Sequence, residues 1–171
     1  MNRNISVEDY ILPDNLNPDN KSYIYGEVDE RDIYKVIKDL ININSILDVG
    51  SGTGKLVTYL SHYYTYADGV EINEQRYNKS LTLMEQYNLN NVEFILDDYQ
   101  HIYFGSYDLI YCCNKVFEKE DNNVLYTKLL NEFTGFCLLF DYNHLLKKFL
   151  IGTYNVRTSW NKNEVIFLFR L

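Results

Sequence analysis

Apolar and polar positions follow two rhythms along this chain. From Glu27 to Leu40 the apolar residues Val28, Ile33, Val36, Ile37 and Leu40, with Ile41 just beyond, fall close to a 3.6-residue period, which predicts a helix. Short unbroken apolar runs then recur: SILDV at 45–49, ADGVE at 67–71, VEFIL at 92–96, YDLIYCC at 107–113 and FCLLFDY at 136–142. Each has the length of a strand buried on both faces. Helical patterns separate them over 54–63, 73–88 and 121–133, the last with Val124, Leu125, Lys128 and Leu129 along one face, and a short helix is expected over His144–Leu150. TYNVRTSW and EVIFLFR are two β-rich runs joined by NKN, too close for a crossover helix, so they predict an antiparallel hairpin. Strand–helix alternation closed by that hairpin predicts an α/β domain. Its sheet should have seven mostly parallel strands with helices on both faces. Residues 1–24 hold both prolines, Pro13 and Pro18, among Asp and Asn, and are expected to be an irregular leader to a single domain over 25–171.

Composition narrows the function classes. A chain of 171 residues is one domain, and one of this size buries roughly 70% of its unfolded surface. A formal net charge of −8 argues against autonomous nucleic-acid docking and leaves a basic protein partner open. The chain has 17 Tyr against 2 Pro and 1 Trp, a bias shared with Asn, Ile and Lys, whose codons are AT-rich. Cys112, Cys113 and Cys137 are odd in number and sit in apolar runs, which supports neither a disulfide framework nor a zinc site. The N-terminus MNRNISVEDY lacks a signal peptide's apolar segment and no run reaches the roughly 20 residues of a membrane span. The expectation is a cytosolic or nuclear protein with no metal and no membrane partner.

The candidate chemistry begins at Asp48-Val49-Gly50-Ser51-Gly52-Thr53-Gly54-Lys55, between the first strand and a helix. A Walker phosphate loop needs Gly-x-x-x-x-Gly-Lys-Ser/Thr, and Val49 and Leu56 occupy two of those anchors. The dinucleotide fingerprint keeps Gly50 and Gly52 but meets Lys55 at its third glycine. Asp-x-Gly-x-Gly-x-Gly after a strand matches the first motif of S-adenosylmethionine-dependent class I methyltransferases without a mismatch. Glu71, about 20 residues on at a strand end, suits a pair of ribose hydroxyls. Asp48 could orient the turn or meet the ligand's ammonium. After the third strand, Asp98 could accept from an adenine amino group and Tyr99 could stack on the ring.

Residues 24–171 also resemble a narrower family. Tyr25-Gly26-Glu27 precedes the first helix, then come DVGSGTGK, GVEI at 69–72, DDY at 97–99, LIYCCNKVF at 109–117 and, near the end, Thr158-Ser159-Trp160 followed by EVIFLFR. This order is similar to the seven-strand histone lysine methyltransferases of the disruptor-of-telomeric-silencing type. The resemblance implies a Rossmann-like fold and S-adenosylmethionine held by Tyr25, Glu27, Asp48, Gly50, Gly52, Gly54, Glu71, Asp98 and Tyr99. It implies a catalytic group of Asn114, Phe117, Trp160 and Phe167, the three aromatics walling an apolar lysine channel. It implies a basic acceptor such as a histone or nucleosome. The family's Asn-Asn-aromatic run survives here as Cys113-Asn114-Lys115-Val116-Phe117, and its terminal Tyr as Phe167. The Asn-Pro-Pro-aromatic signature of base-methylating enzymes is absent, because Lys115 follows Asn114. A class I enzyme with a small-molecule or RNA acceptor, and a non-catalytic cofactor-binding activator, are the alternatives.

Overall fold

The computed structural model describes residues 26–171. The expected leader over 1–24 and Tyr25 lie outside the described residues. Seven strands form one sheet: β1 (Ser45–Val49), β2 (Tyr66–Glu71), β3 (Phe94–Leu96), β4 (Leu109–Cys112), β5 (Phe136–Leu139), β6 (Leu150–Val156) and β7 (Glu164–Arg170), in the order β3-β2-β1-β4-β5-β7-β6. The first five pair in parallel, while β7 runs antiparallel between β5 and β6. The helices are α1 (Glu30–Ile37), α2 (Lys55–Leu60), α3 (Glu74–Tyr87) and α4 (Lys119–Glu132). This is the Rossmann-like, seven-strand mixed sheet that the alternation predicts. Strand order reverses at β1, so the segments leaving β1 and β4 diverge and open a crevice at their carboxyl ends.

The pleat sorts the apolar residues into two layers. Ile46 of β1 joins Ile33 and Ile37 of α1 and Leu56, Val57 and Leu60 of α2. Leu47 and Val49 point the other way, onto Leu125, Tyr126 and Leu129 of α4. Each buried aliphatic side chain contributes about 1.5–3 kcal/mol, so Ile33 and Ile37 favour the face of α1 that lies on the sheet. Helix ends are set by short polar side chains: Asp29 accepts from Arg31 N at 3.1 Å at the start of α1, and Asn73 from Arg76 N at 3.1 Å at the start of α3.

Four local expectations change. The helix expected from Glu27 begins only at Glu30, because Glu27–Asp29 lie extended along residues 157–159; it stops at Ile37, leaving Ile41 74% exposed. The helix expected over His144–Leu150 shrinks to one 3-10 turn, Lys147–Phe149, since Leu150 is already paired in β6. Thr158, Ser159 and Trp160 leave the hairpin strand: Val28 bridges Thr158, and Ser159 N donates to Glu27 O at 2.8 Å. In α4 the inward face is Asn122, Leu125, Tyr126 and Leu129, and Val124 is exposed.

Candidate active site

The crevice is built first from the turn after β1. Gly50, Gly52 and Gly54 have φ of +76°, +57° and +82°, a region L side chains avoid. A Cβ at Gly50 would meet nothing within 4 Å, so the turn bares its backbone to open space; one at Gly54 would stand 2.5 Å from the Phe94 ring. Gly50 N and Ser51 N donate to Val70 O at 2.9 and 3.0 Å. Glu71, 5% exposed, braces the turn from β2: its Oε2 accepts from Gly52 N at 2.8 Å and its Oε1 from Asn73 N at 2.9 Å. Each oxygen retains capacity for a further donor.

Opposite the turn stands the segment Gly26–Val28. With Asp48, Ser51, Lys55, Tyr111 and Cys113 it lines a cleft of about 380 Å³, counting the solvent at its mouth. Lys55 Nζ reaches across to Glu27 at 3.2 Å and Glu30 at 3.5 Å. Burial works against the Lys55 charge, but Glu30 and Glu27 outweigh it and raise its pKa. Asp48 is buried, and burial, followed by the charge of Glu71, pushes its carboxyl up to about 8. Asp48 Oδ1 and Ser51 Oγ are buried and have no hydrogen-bond partner within the protein. Two orphan polar atoms in one cleft carry an unmet solvation cost. Ser51 Oγ packs against Gly69 of β2, 2.6 Å from where a Cβ there would stand, so Asp48 is the group a polar ligand in the cleft can use.

Comparison with known proteins bears on what that ligand is. No curated protein matches the chain. The pattern of the methyltransferase domain family matches residues 46–133, just over half the chain. The chain belongs to this methyltransferase family. Among solved structures, an RNA methyltransferase from Salinibacter ruber, in complex with S-adenosyl-L-homocysteine, is 14% identical with a TM-score of 0.64, covering 81% of this chain and 89% of that one. Magnesium protoporphyrin IX methyltransferase from Synechocystis, with bound S-adenosylmethionine, is 17% identical with a TM-score of 0.64, covering 83% and 79%. The YcgJ protein of Bacillus subtilis is 20% identical with a TM-score of 0.55 over 65% of this chain, which spans about half of that protein's length, 50%. The methyltransferase is of class I and its cofactor is S-adenosylmethionine.

The methyltransferase's cleft fits that cofactor on its own evidence. The orphan Asp48 Oδ1 is a polar atom in want of a partner, and the open side of Gly50 leaves room for a ligand against the backbone. An ammonium suits Asp48 and Glu27, a carboxylate suits Lys55, and the spare lone pairs of Glu71 suit ribose hydroxyls.

The remaining sequence candidates are distributed unevenly. Asp98 caps the turn after β3, accepting from Gln100 N at 2.9 Å. Tyr99 stacks between Phe104 and Phe117, with centroids at 6.4 and 6.0 Å, and its hydroxyl donates to Asp121 O at 3.1 Å. Asn114 is wholly buried. Its Nδ2 donates to Asn122 Oδ1 at 2.6 Å, Tyr126 OH at 3.2 Å and Asp141 O at 3.0 Å, while its Oδ1 accepts from Phe140 N and Asp141 N at 2.9 and 3.1 Å. That amide clamps the ends of β4 and β5 to α4 and has no group left for a substrate, which departs from its expected place in the catalytic group. Phe117 and Phe167 pack in the α4 layer, Phe167 against Tyr142 at 4.8 Å, whereas Trp160 lies in the other layer, 6.1 Å from Phe140. The three aromatics therefore do not form one channel wall: Phe117, after β4, and Phe167, on β7, pack on the α4 side, while Trp160, in the loop before β7, packs on Phe140 of the opposite layer.

Sequence reasoning missed Lys55, Ser51 and Tyr111 as cleft residues. In the sequence Lys55 bears only on the Walker pattern, which fails at Val49 and Leu56, and on the dinucleotide fingerprint, which fails at Lys55 itself. No sequence signal exists for its ion pairs, since Glu27 lies 28 residues away. Among the described residues no three His, Cys, Asp or Glu side chains are placed to hold a metal ion, all three cysteines are free, and no helix is long and apolar enough to cross a membrane.

Proposed function

We propose that this class I methyltransferase acts on a protein lysine, with a basic, histone-type tail as the acceptor. The observation that carries the reading is the contact between the two segments distinctive of the lysine methyltransferase resemblance. Gly26 lies under the Trp160 indole and Glu27 N donates to Ser159 Oγ at 3.1 Å, both at the rim of the cofactor cleft. S-adenosylmethionine, when bound, supplies a methyl group on a sulfonium sulfur.

Every other requirement falls on the chain's own residues. Asp48, Glu27 and Lys55 hold and orient the charged end of the cofactor, Glu71 keeps the glycine turn shut beneath it, and Asp98, at the turn after β3, stands on the adenine side. The Tyr99 ring is engaged by Phe104 and Phe117 and supports that turn from behind. An acceptor lysine has an ordinary pKa near 10.4 and must arrive neutral. Apolar walls disfavour its ammonium and lower that value. Tyr111, Phe140 and Trp160 run outward from the cleft with centroids 6.3 and 6.1 Å apart and supply such a wall. No general base is needed once the lysine is neutral. The net charge of −8 favours encounter with a basic tail in a salt-sensitive way.

A second reading, a small-molecule or RNA acceptor, is favoured by the engaged amide of Asn114 and the separation of Phe117 and Phe167 from Trp160. Labelled cofactor offered with nucleosomes, free histones, RNA and small amines separates the two. Label on histone lysine supports the first; transfer to RNA or small molecules alone replaces it with the second.

A further inference from the structure

One wall of the cofactor cleft is the segment Gly26–Val28, and the bonds that fix it and the following Asp29 run to the loop between β6 and β7. Ser159 takes both backbone groups of Glu27, accepting N–H on Oγ at 3.1 Å and donating its own N–H to the carbonyl at 2.8 Å. Asp29 N donates to Arg157 O at 2.8 Å and Val28 bridges Thr158. The indole of Trp160 lies so close on Gly26 that a Cβ there would stand 2.4 Å from Cζ3 and 2.7 Å from Cε3. The indole is itself fixed. Its Nε1 donates to Glu164 Oε2 at 2.9 Å, and Glu164, buried, also accepts from Asn161 Nδ2 at 3.2 Å and Lys115 Nζ at 3.0 Å. From the other side of the cleft, Lys55 Nζ binds the Glu27 carboxylate at 3.2 Å.

We propose that the β6–β7 loop is a latch in which Trp160 and Ser159 are positioning residues: they hold Gly26–Glu27 across the cleft, so that latch closure and cofactor binding stabilise each other. Through Glu164 and Lys115 the latch also reaches the turn that follows β4. The two states are wall docked under the indole and wall released, and cofactor binds the docked one. Opening the latch lowers apparent affinity in proportion to the docked fraction lost. Trp160 thus acts on cofactor affinity, not on the lysine channel alone. The inference rests on the cofactor cleft and is independent of the acceptor.

Titration calorimetry of the full chain with S-adenosylhomocysteine tests it without any acceptor. Trp160→Ala should weaken binding about tenfold, as expected if some nine-tenths of the docked state is lost, while Trp160→Phe keeps affinity close to the parent. Gly26→Ala, which pushes the indole away, should weaken binding in the parent but add nothing in the Trp160→Ala background, because no indole remains to displace. The single tryptophan makes the latch visible: acrylamide quenching of its fluorescence should fall as the ligand saturates and rise in Gly26→Ala. Unchanged affinity in Trp160→Ala, or losses from Gly26→Ala and Trp160→Ala that add in full, would overturn the latch. If Trp160→Ala does not fold, Gly26→Ala carries the test alone, and parent-like affinity and quenching in it refute the proposal.

Discussion

Asp48 is a carboxyl group that water does not reach, next to a second carboxylate, with one oxygen unbonded. Its folded pKa of about 8 lies above the ordinary 3.8, so its contribution to stability is present below the ordinary value and is lost as pH rises toward 8. Asp48→Asn, which stays neutral, should therefore melt above the parent in the absence of cofactor, with the gap larger at pH 8 than at pH 5. Roughly 2–4 °C is expected for each kcal/mol recovered. The same substitution should weaken S-adenosylmethionine binding in calorimetry, since the charge that costs stability is the one a cofactor ammonium uses. A pH-independent gap would remove the buried charge as its cause. Glu71→Ala should cost roughly 1.5–3 kcal/mol of cofactor affinity. It should also lower the melting temperature, because Gly52 N and Asn73 N lose their acceptor. Unchanged affinity in calorimetry would confine Glu71 to bracing the turn. Asp48, Glu71 and the glycines were legible from spacing alone. Lys55, Ser51 and the engaged amide of Asn114 were not, since each acquires its role from partners far along the chain.

At the scale of elements, two polar clamps position what hydrophobic burial only layers. Arg157 Nε and Nη2 bind Asp32 at 2.8 and 3.0 Å, tying α1 to the exit of β6. These hydrogen bonds, together with one from Lys35 and against the opposing effect of burial, hold the Asp32 carboxyl well below the usual carboxylate range. A depressed carboxyl contributes stability above its unfolded pKa and loses it as pH falls through the folded value. Melting temperature followed from about pH 5 to pH 2 should fall less steeply in Asp32→Asn than in the parent; parallel curves would contradict the assignment. Asn114 is the second clamp. Asn114→Ala leaves Phe140 N and Asp141 N without their acceptor and should cost about 2–4 kcal/mol in denaturant unfolding. A surface-like change below about 0.5 kcal/mol would return it to the acceptor side.

At the scale of the whole molecule, the net charge of −8 bears on the acceptor. If the acceptor is a basic tail, methylation should slow steeply between about 50 and 200 mM salt while cofactor affinity hardly moves. A salt-independent rate would argue for a neutral acceptor. The sequence alone determined the alternation of strands and helices, the glycine turn, the acid at the end of β2 and the terminal hairpin. These are local facts: apolar runs of strand length, left-handed positions that demand glycine, and a linker too short for a crossover. Only the tertiary structure decided that Glu27–Asp29 lie extended along residues 157–159, that Trp160 covers Gly26, and that Phe117 and Phe167 face away from Trp160. Those outcomes depend on backbone pairing and on which side of the pleat each residue falls, contacts made across 132 positions in the case of Glu27 and Ser159. Local pattern cannot express them, because their energy exists only after the sheet has brought residues 26–29 and 157–160 together.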